Sequence, residues 1–226
     1  MPLELIFKQL RSINFSLVLL ALLIVLSAIS TFSQTPAAFF GSLGFFALIF
    51  LFFINLCCCT FYRFSNELKK KSNRNFGPDI LHGGLILFMV IALLSTYYRM
   101  EGQIGLLAGE SLTMPDGSIL TLDEFEYLRY ENGRPKDWIS YLTIENDDEV
   151  VYSRYPLKVN YPLKYNGYTL YQVSYGEMRG SFYSVIQAVR EPFFGLVLAA
   201  FIVCGAGIFI TLFIKVGRLR RRTGND

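Results

Sequence analysis

The chain has 226 residues, 53% of them hydrophobic and only 17% charged, with a formal net charge of +3 and a mean hydropathy of +0.39. Soluble domains carry about a quarter charged residues, so this composition excludes an ordinary soluble domain and points to a membrane protein. Four cysteines and a single histidine leave little material for a disulfide framework or a multi-ligand metal centre.

Crossing the bilayer takes a helix of roughly 17–25 mainly apolar residues. The first such run is NFSLVLLALLIVLSAISTFS, residues 14–33. It is longer than the roughly 7–15-residue core of a signal peptide, and a second run follows at once, so it reads as a span despite its small residues. The second run is 39–61 and ends in Cys57, Cys58 and Cys59. Neighbouring helical positions point about 100° apart, so three adjacent thiols read as soft helix packing rather than a metal site. A basic link, 62–79, leads to the third run at 80–98, ILHGGLILFMVIALLSTYY. The fourth run, 192–214, contains Cys204 and is followed by a basic tail.

Basic residues set the expected orientation, because short cytoplasmic flanks are rich in Lys and Arg. Lys8 and Arg11 precede the first span. Arg63, Lys69, Lys70, Lys71 and Arg74 fill the 62–79 link, and Lys215, Arg218, Arg220, Arg221 and Arg222 fill the tail, whereas QTPAA between spans one and two has none. Both termini and the link are therefore expected on the cytoplasmic side of the cell's inner membrane, their charge resting on anionic lipid, with 99–190 outside. No nucleic-acid partner is expected.

Residues 99–190 read as β structure. Turn signals recur at PDGS (115–118), ENGR (131–134), ENDD (145–148) and YNGY (165–168). Asp-Gly and Asn-Gly favour tight hairpins because both central positions of a type I′ turn need a positive φ. β-branched and aromatic runs lie between them, predicting a small antiparallel sheet or sandwich of about seven to nine strands. The fold class is thus integral membrane α plus β: residues 1–98 with three helices, an outer β domain at 99–190, and a fourth helix with its tail at 191–226. Thirteen of the fourteen tyrosines fall at 97–183. β propensity and interface preference account for that, and an aromatic surface for a flat ligand or an unfolded segment is the functional alternative.

The one histidine, His82, opens the third span. A neutral interfacial imidazole is the plain reading. Three neighbours favour a ligand instead. Gly83 and Gly84 remove side chains beside the ring, leaving room for a flat macrocycle. Asp79, three residues earlier on the same face, could accept the Nδ1 proton and leave Nε2 for a metal. An ionisable group within a membrane is itself a functional candidate. One imidazole supplies one axial position of a haem. Met89, on the same helix, cannot reach the opposite face, so the second ligand must come from another protein or a second copy. A zinc centre would want three protein ligands.

The stretch LKVNYPLKYNGYTLYQVSYG, 157–176, resembles the signature of the ResB (CcsB) family of cytochrome c biogenesis proteins, the System II pathway. The pattern VN-x-PL-x-Y-x-GY-x-x-YQ-x-SY is carried by Val159, Asn160, Pro162, Leu163, Tyr165, Gly167, Tyr168, Tyr171, Gln172, Ser174 and Tyr175. Three spans before an outer domain, one after it, and a histidine opening the third span agree with that family. Members usually have a larger outer domain than the 99–190 segment. The resemblance implies a complex with a CcsA-type membrane partner that carries haem b across the membrane and presents it to apocytochrome c. It makes His82 an axial ligand, with the second ligand from CcsA. By its own residues the chain shows no nucleophile, base pair or metal triad, so it reads as a subunit of a holocytochrome c synthase rather than an enzyme alone. Asn160 suits an Asx-type turn and Gln172 a strand edge, with partner contact as the functional alternative. The competing readings are a homodimeric b-type cytochrome and a membrane-tethered β scaffold with no haem role.

Overall fold

The computed structural model describes residues 8–147, 149–178 and 180–223, with Ala37 and residues 218–223 described by backbone alone. Asp148 of the expected 145–148 turn and the side chains of Arg218, Arg220, Arg221 and Arg222 lie outside the described residues. Two compact units result: a helical one, residues 1–94 with 193–226, and a β one, residues 95–192.

Among the described residues, after a helical stretch at 8–10, come α1 (Ile13–Thr31), the short α2 (Pro36–Phe40), α3 (Leu43–Lys69), α4 (Gly77–Tyr98) and α5 (Phe194–Thr223). Four of them, α1, α3, α4 and Phe194–Gly217 of α5, are long and apolar enough to cross a membrane. The expected second run is divided. Residues 36–40 form α2, and Ser42 then caps α3 by accepting a hydrogen bond from Phe45 N at 3.3 Å. α3 continues to Lys69, eight residues past the expected end, because YRFSNELK contains no glycine or proline and carries an Arg63–Glu67 pair one turn apart. The expected 62–79 link therefore shrinks to 70–76.

Polar and small residues join the helices, as the absence of a hydrophobic drive between spans requires. Asn55 of α3 is fully buried; it donates to Leu10 O at 2.7 Å and accepts from Ser16 of α1. Cys59 adds its Sγ 3.8 Å from Ser16 Oγ. On the other side α4 meets α5 through Gly77, Leu81 and Gly84 against Ala200, Cys204, Gly207 and Thr211. Cys204 Sγ donates to Leu81 O at 3.7 Å, which accounts for that thiol as packing.

The β unit holds eight strands in two four-stranded antiparallel sheets. One has the order β1 (Met100–Leu107), β8 (Ser181–Arg190), β7 (Tyr168–Met178), β6 (Leu163–Tyr165). The other has β2 (Ser111–Thr113), β3 (Ile119–Arg129), β4 (Pro135–Asn146), β5 (Glu149–Lys158). Their inner faces share one core, with Leu106, Leu170 and Ile186 from the first and Leu122, Leu142, Ile144 and Leu157 from the second. The expected hairpins form with different turn chemistry. Asn166–Gly167 has two positive φ values, 43° and 79°, and Asp147 of the 145–148 turn has one, 50°. At 115–118 and 131–134 the glycine alone is left-handed, with φ 91° at Gly117 and 78° at Gly133, closing a wider loop.

Candidate functional site

His82 lies in the second turn of α4, whose entry is held by a polar clasp from α3. Asn75 Oδ1 accepts from Gly77 N at 3.1 Å and Arg63 Nη2 donates to Asn75 O at 3.0 Å. Glu67, 5% exposed, accepts from Asn75 N at 3.2 Å and pairs with Lys70 at 2.5 Å and Arg63 at 3.6 Å. Arg63 Nη1 lies 2.6 Å from Asp79 Oδ2, an ion pair by distance whose N–H is not aligned on the carboxylate. The seven residues between α3 and α4 are thus tied at both ends.

Asp79 therefore faces Arg63 rather than His82, which corrects the expected Asp79–His82 hydrogen bond. A guanidinium offers a buried carboxylate full charge compensation, which a neutral imidazole cannot. His82 is half-buried, its Nδ1 is enclosed without a hydrogen-bond partner, and neither ring nitrogen bonds a described residue. The two glycines also differ from expectation. A Cβ on Gly83 would meet nothing within 4 Å, so that flank is open. A Cβ on Gly84 would lie 2.6 Å from Cys204 Sγ and 3.0 Å from Cys204 N, so that glycine serves the contact with α5 instead of a macrocycle. Among the described residues no three His, Cys, Asp or Glu side chains could hold a metal ion together. An uncommitted imidazole with one open flank fits a single axial contact to a haem iron and no more.

In the β unit the 159–175 motif divides by burial. Leu163, Tyr168 and Gln172 are 3%, 4% and 5% exposed and belong to the interior. Asn160 adopts a left-handed φ of 65° at the turn where Tyr161 N donates to Lys158 O at 3.1 Å, and Pro162 leads from it into β6. Its side chain makes no hydrogen bond to a described residue, and the turn is closed by the backbone instead of the expected Asx side chain. Gly167 supplies the second left-handed position of the β6–β7 turn, after Tyr165, and Arg190 covers the Tyr168 ring at 5.5 Å. Gln172 pairs with Ile186 of β8 and lies beyond the Tyr168–Leu170 stretch that β6 covers, and its side chain is buried. Its Oε1 is 2.6 Å from Ser140 Oγ, and its Nε2 donates to Ser184 Oγ at 3.0 Å and Ser174 O at 2.9 Å. Ser140 belongs to the facing sheet, so this network crosses the sandwich. Tyr171 is 41% exposed. Tyr175 packs 4.9 Å from Tyr127 and 5.1 Å from Trp138 between ring centroids.

The ResB-like family model matches residues 69–182, a stretch running from the end of α3 through His82 and the whole 159–175 motif. The chain belongs to the ResB-like family. Its curated relatives include the "Cytochrome c biogenesis protein CcsB" of Prochlorococcus marinus (strain MIT 9301), 27% identical over 121 residues that cover 50% of this chain and 28% of that protein. The protein of the same name from Synechococcus sp. (strain RCC307) is 33% identical over 105 residues, 44% of this chain and 24% of the relative. The chain thus matches about a quarter of these relatives' length. A solved structure, "Cytochrome c Heme Lyase CcmF", superposes with a TM-score of 0.43 at 17% identity over 88% of this chain and 34% of that one, a loose likeness. Arg63, Asn75 and Ser140, which support His82 and the ResB-like motif, have no sequence signal of their own.

Proposed function

We propose that this chain is a membrane subunit of cytochrome c biogenesis that handles haem with a CcsA-type partner and presents it to apocytochrome c. The observation that carries the proposal is His82: it opens a spanning helix, its enclosed Nδ1 has no hydrogen-bond partner among the described residues, and it lies inside the region matched to the ResB-like family. In this reading His82 holds the iron of haem b by one nitrogen, Gly83 leaves the flank beside the ring clear, and the Arg63–Asp79 clasp fixes the helix that carries the imidazole. Haem brings the vinyl groups that bond to the cysteines of the apocytochrome. The chain acts as a subunit of a holocytochrome c synthase, with termini and the 70–76 link cytoplasmic and the β unit outside the inner membrane, as the basic flanks support.

A single histidine calls for a second ligand from elsewhere, by this reading from the partner. The test is haem content per chain, purified alone and with a CcsA-type partner. Haem bound only in the pair supports the proposal. Haem at one per two chains in the isolated protein supports a homodimeric b-type cytochrome instead, since a second copy would also supply an imidazole. Absence of haem from both preparations leaves the tethered β scaffold.

A further inference from the structure

The last three turns of α3 carry a second stripe that neither His82 nor the Arg63 clasp uses. Cys58, Phe61, Tyr62, Ser65 and Lys69 recur every three or four residues and share one face. Arg11, just ahead of α1, lies over that face with its guanidinium 4.6 Å from the Tyr62 ring centroid. A cleft of about 420 Å³ opens between them, with Asn66 completing its lining.

The cleft is electrostatically one-sided. Among the described residues Arg11 and Lys69 line it and no carboxylate does. Among the described residues neither cation has an ion-pair partner. The adjacent acid, Glu67, is turned away toward Arg63, Lys70 and Asn75. One wall is apolar and open, with Phe61 74% and Tyr62 47% exposed. The cleft sits where two apolar helices give way to basic residues, which is the headgroup level of a bilayer. The carbonyl end of α3 disfavours an anion there, so the two side-chain cations must outweigh it.

We propose that this cleft binds the phosphate headgroup of an anionic phospholipid. Arg11 and Lys69 take the phosphate, Ser65 and Asn66 offer hydrogen bonds, and an acyl chain lies along Phe61. A guanidinium held against an aromatic face keeps its N–H fork free for phosphate oxygens. Soluble phosphate shares the headgroup chemistry but leaves the apolar wall unused, which favours the lipid.

The test is native mass spectrometry of the full chain in detergent, titrated with phosphatidylglycerol, phosphatidylcholine or inorganic phosphate. Each basic group near an anionic headgroup contributes about fivefold, so Arg11→Gln/Lys69→Gln should weaken phosphatidylglycerol binding by about 30-fold. A charge-matched control, Lys71→Gln/Lys136→Gln, should retain it. Phe61→Ser keeps both cations and should also weaken the lipid, which decides the matter if the double variant loses helix content by circular dichroism. Equal loss in the control, equal affinity for phosphatidylcholine, or full displacement by inorganic phosphate would each overturn the proposal.

Discussion

Arg63 and Asp79 join two spanning helices across a seven-residue link, with Nη1 and Oδ2 2.6 Å apart and the Asp79 side chain 6% exposed. The sequence placed Asp79 beside His82 by helical spacing, yet the carboxylate turns to the stronger partner. Breaking a buried pair leaves an uncompensated charge. Because Arg63 remains 31% exposed, Arg63→Gln should destabilise the helical unit by about 2 kcal/mol, below the full penalty for a buried pair. Arg63→Gln/Asp79→Asn should recover part of that loss in thermal unfolding in detergent. Simple additivity of the two single changes would show that the residues act independently.

The two glycines after His82 should respond oppositely. Gly84→Ala drives a Cβ into Cys204 Sγ and its backbone nitrogen, so it should cost about 1–3 kcal/mol by overpacking. Cys204→Ala should relieve part of it. Gly83→Ala meets nothing within 4 Å and removes a helical glycine, so the melting temperature should hold or rise. If Gly83→Ala also lowers haem content at unchanged stability, the open flank is where the haem lies.

Gln172 is a strut between sheets. Gln172→Ala opens a cavity and strips the amide from Ser140 and Ser184, leaving the two hydroxyls only their mutual bond at 2.7 Å, so a loss of about 2–3 kcal/mol is expected. Trp138 is the single tryptophan and packs with tilted rings 5.1 Å from Tyr175, so its fluorescence during urea unfolding reports this unit directly. Cytochrome c maturation should fall in proportion to folded protein. Lost maturation with normal stability would assign the motif to partner contact.

These positions show what a sequence can and cannot disclose. The four spans are written in long, mainly apolar runs, and the hairpins in Asn-Gly and Asp-Gly pairs, because both signals are local. The end of α3 was not legible, since Arg and Lys there serve topology and helix formation equally well. The partner of Asp79 was hidden because Arg63 is local in space and remote along the chain. The Ser140–Gln172–Ser184 network was hidden for the same reason: serine and glutamine have no spacing rule across a sandwich. Gly84 looked like space for a ligand because a glycine that admits a neighbouring helix reads identically to one that admits a macrocycle.

Asp116 ties the β2–β3 turn to the β6–β7 turn. Its carboxylate accepts from Ser118 Oγ at 2.7 Å and from Asn166 Nδ2 at 2.7 Å. Partial burial pushes this carboxyl up, and the hydrogen bonds from Ser118 and Asn166 outweigh it, holding the group below the ordinary aspartate value. A depressed folded-state value contributes stability above the unfolded one and loses it as pH falls through the folded one. The β unit should therefore weaken below about pH 4, and Asp116→Asn should flatten that limb of the acid profile. An unchanged acid limb would assign the acid sensitivity to other carboxylates.

The measurement that tests the account most directly is the absorption spectrum of the chain co-purified with a CcsA-type partner, wild type against His82→Ala at equal protein yield. The account predicts a reduced b-type haem spectrum in the wild type and its loss in the variant. Matching spectra would make His82 an interfacial histidine and contradict the haem-handling mechanism.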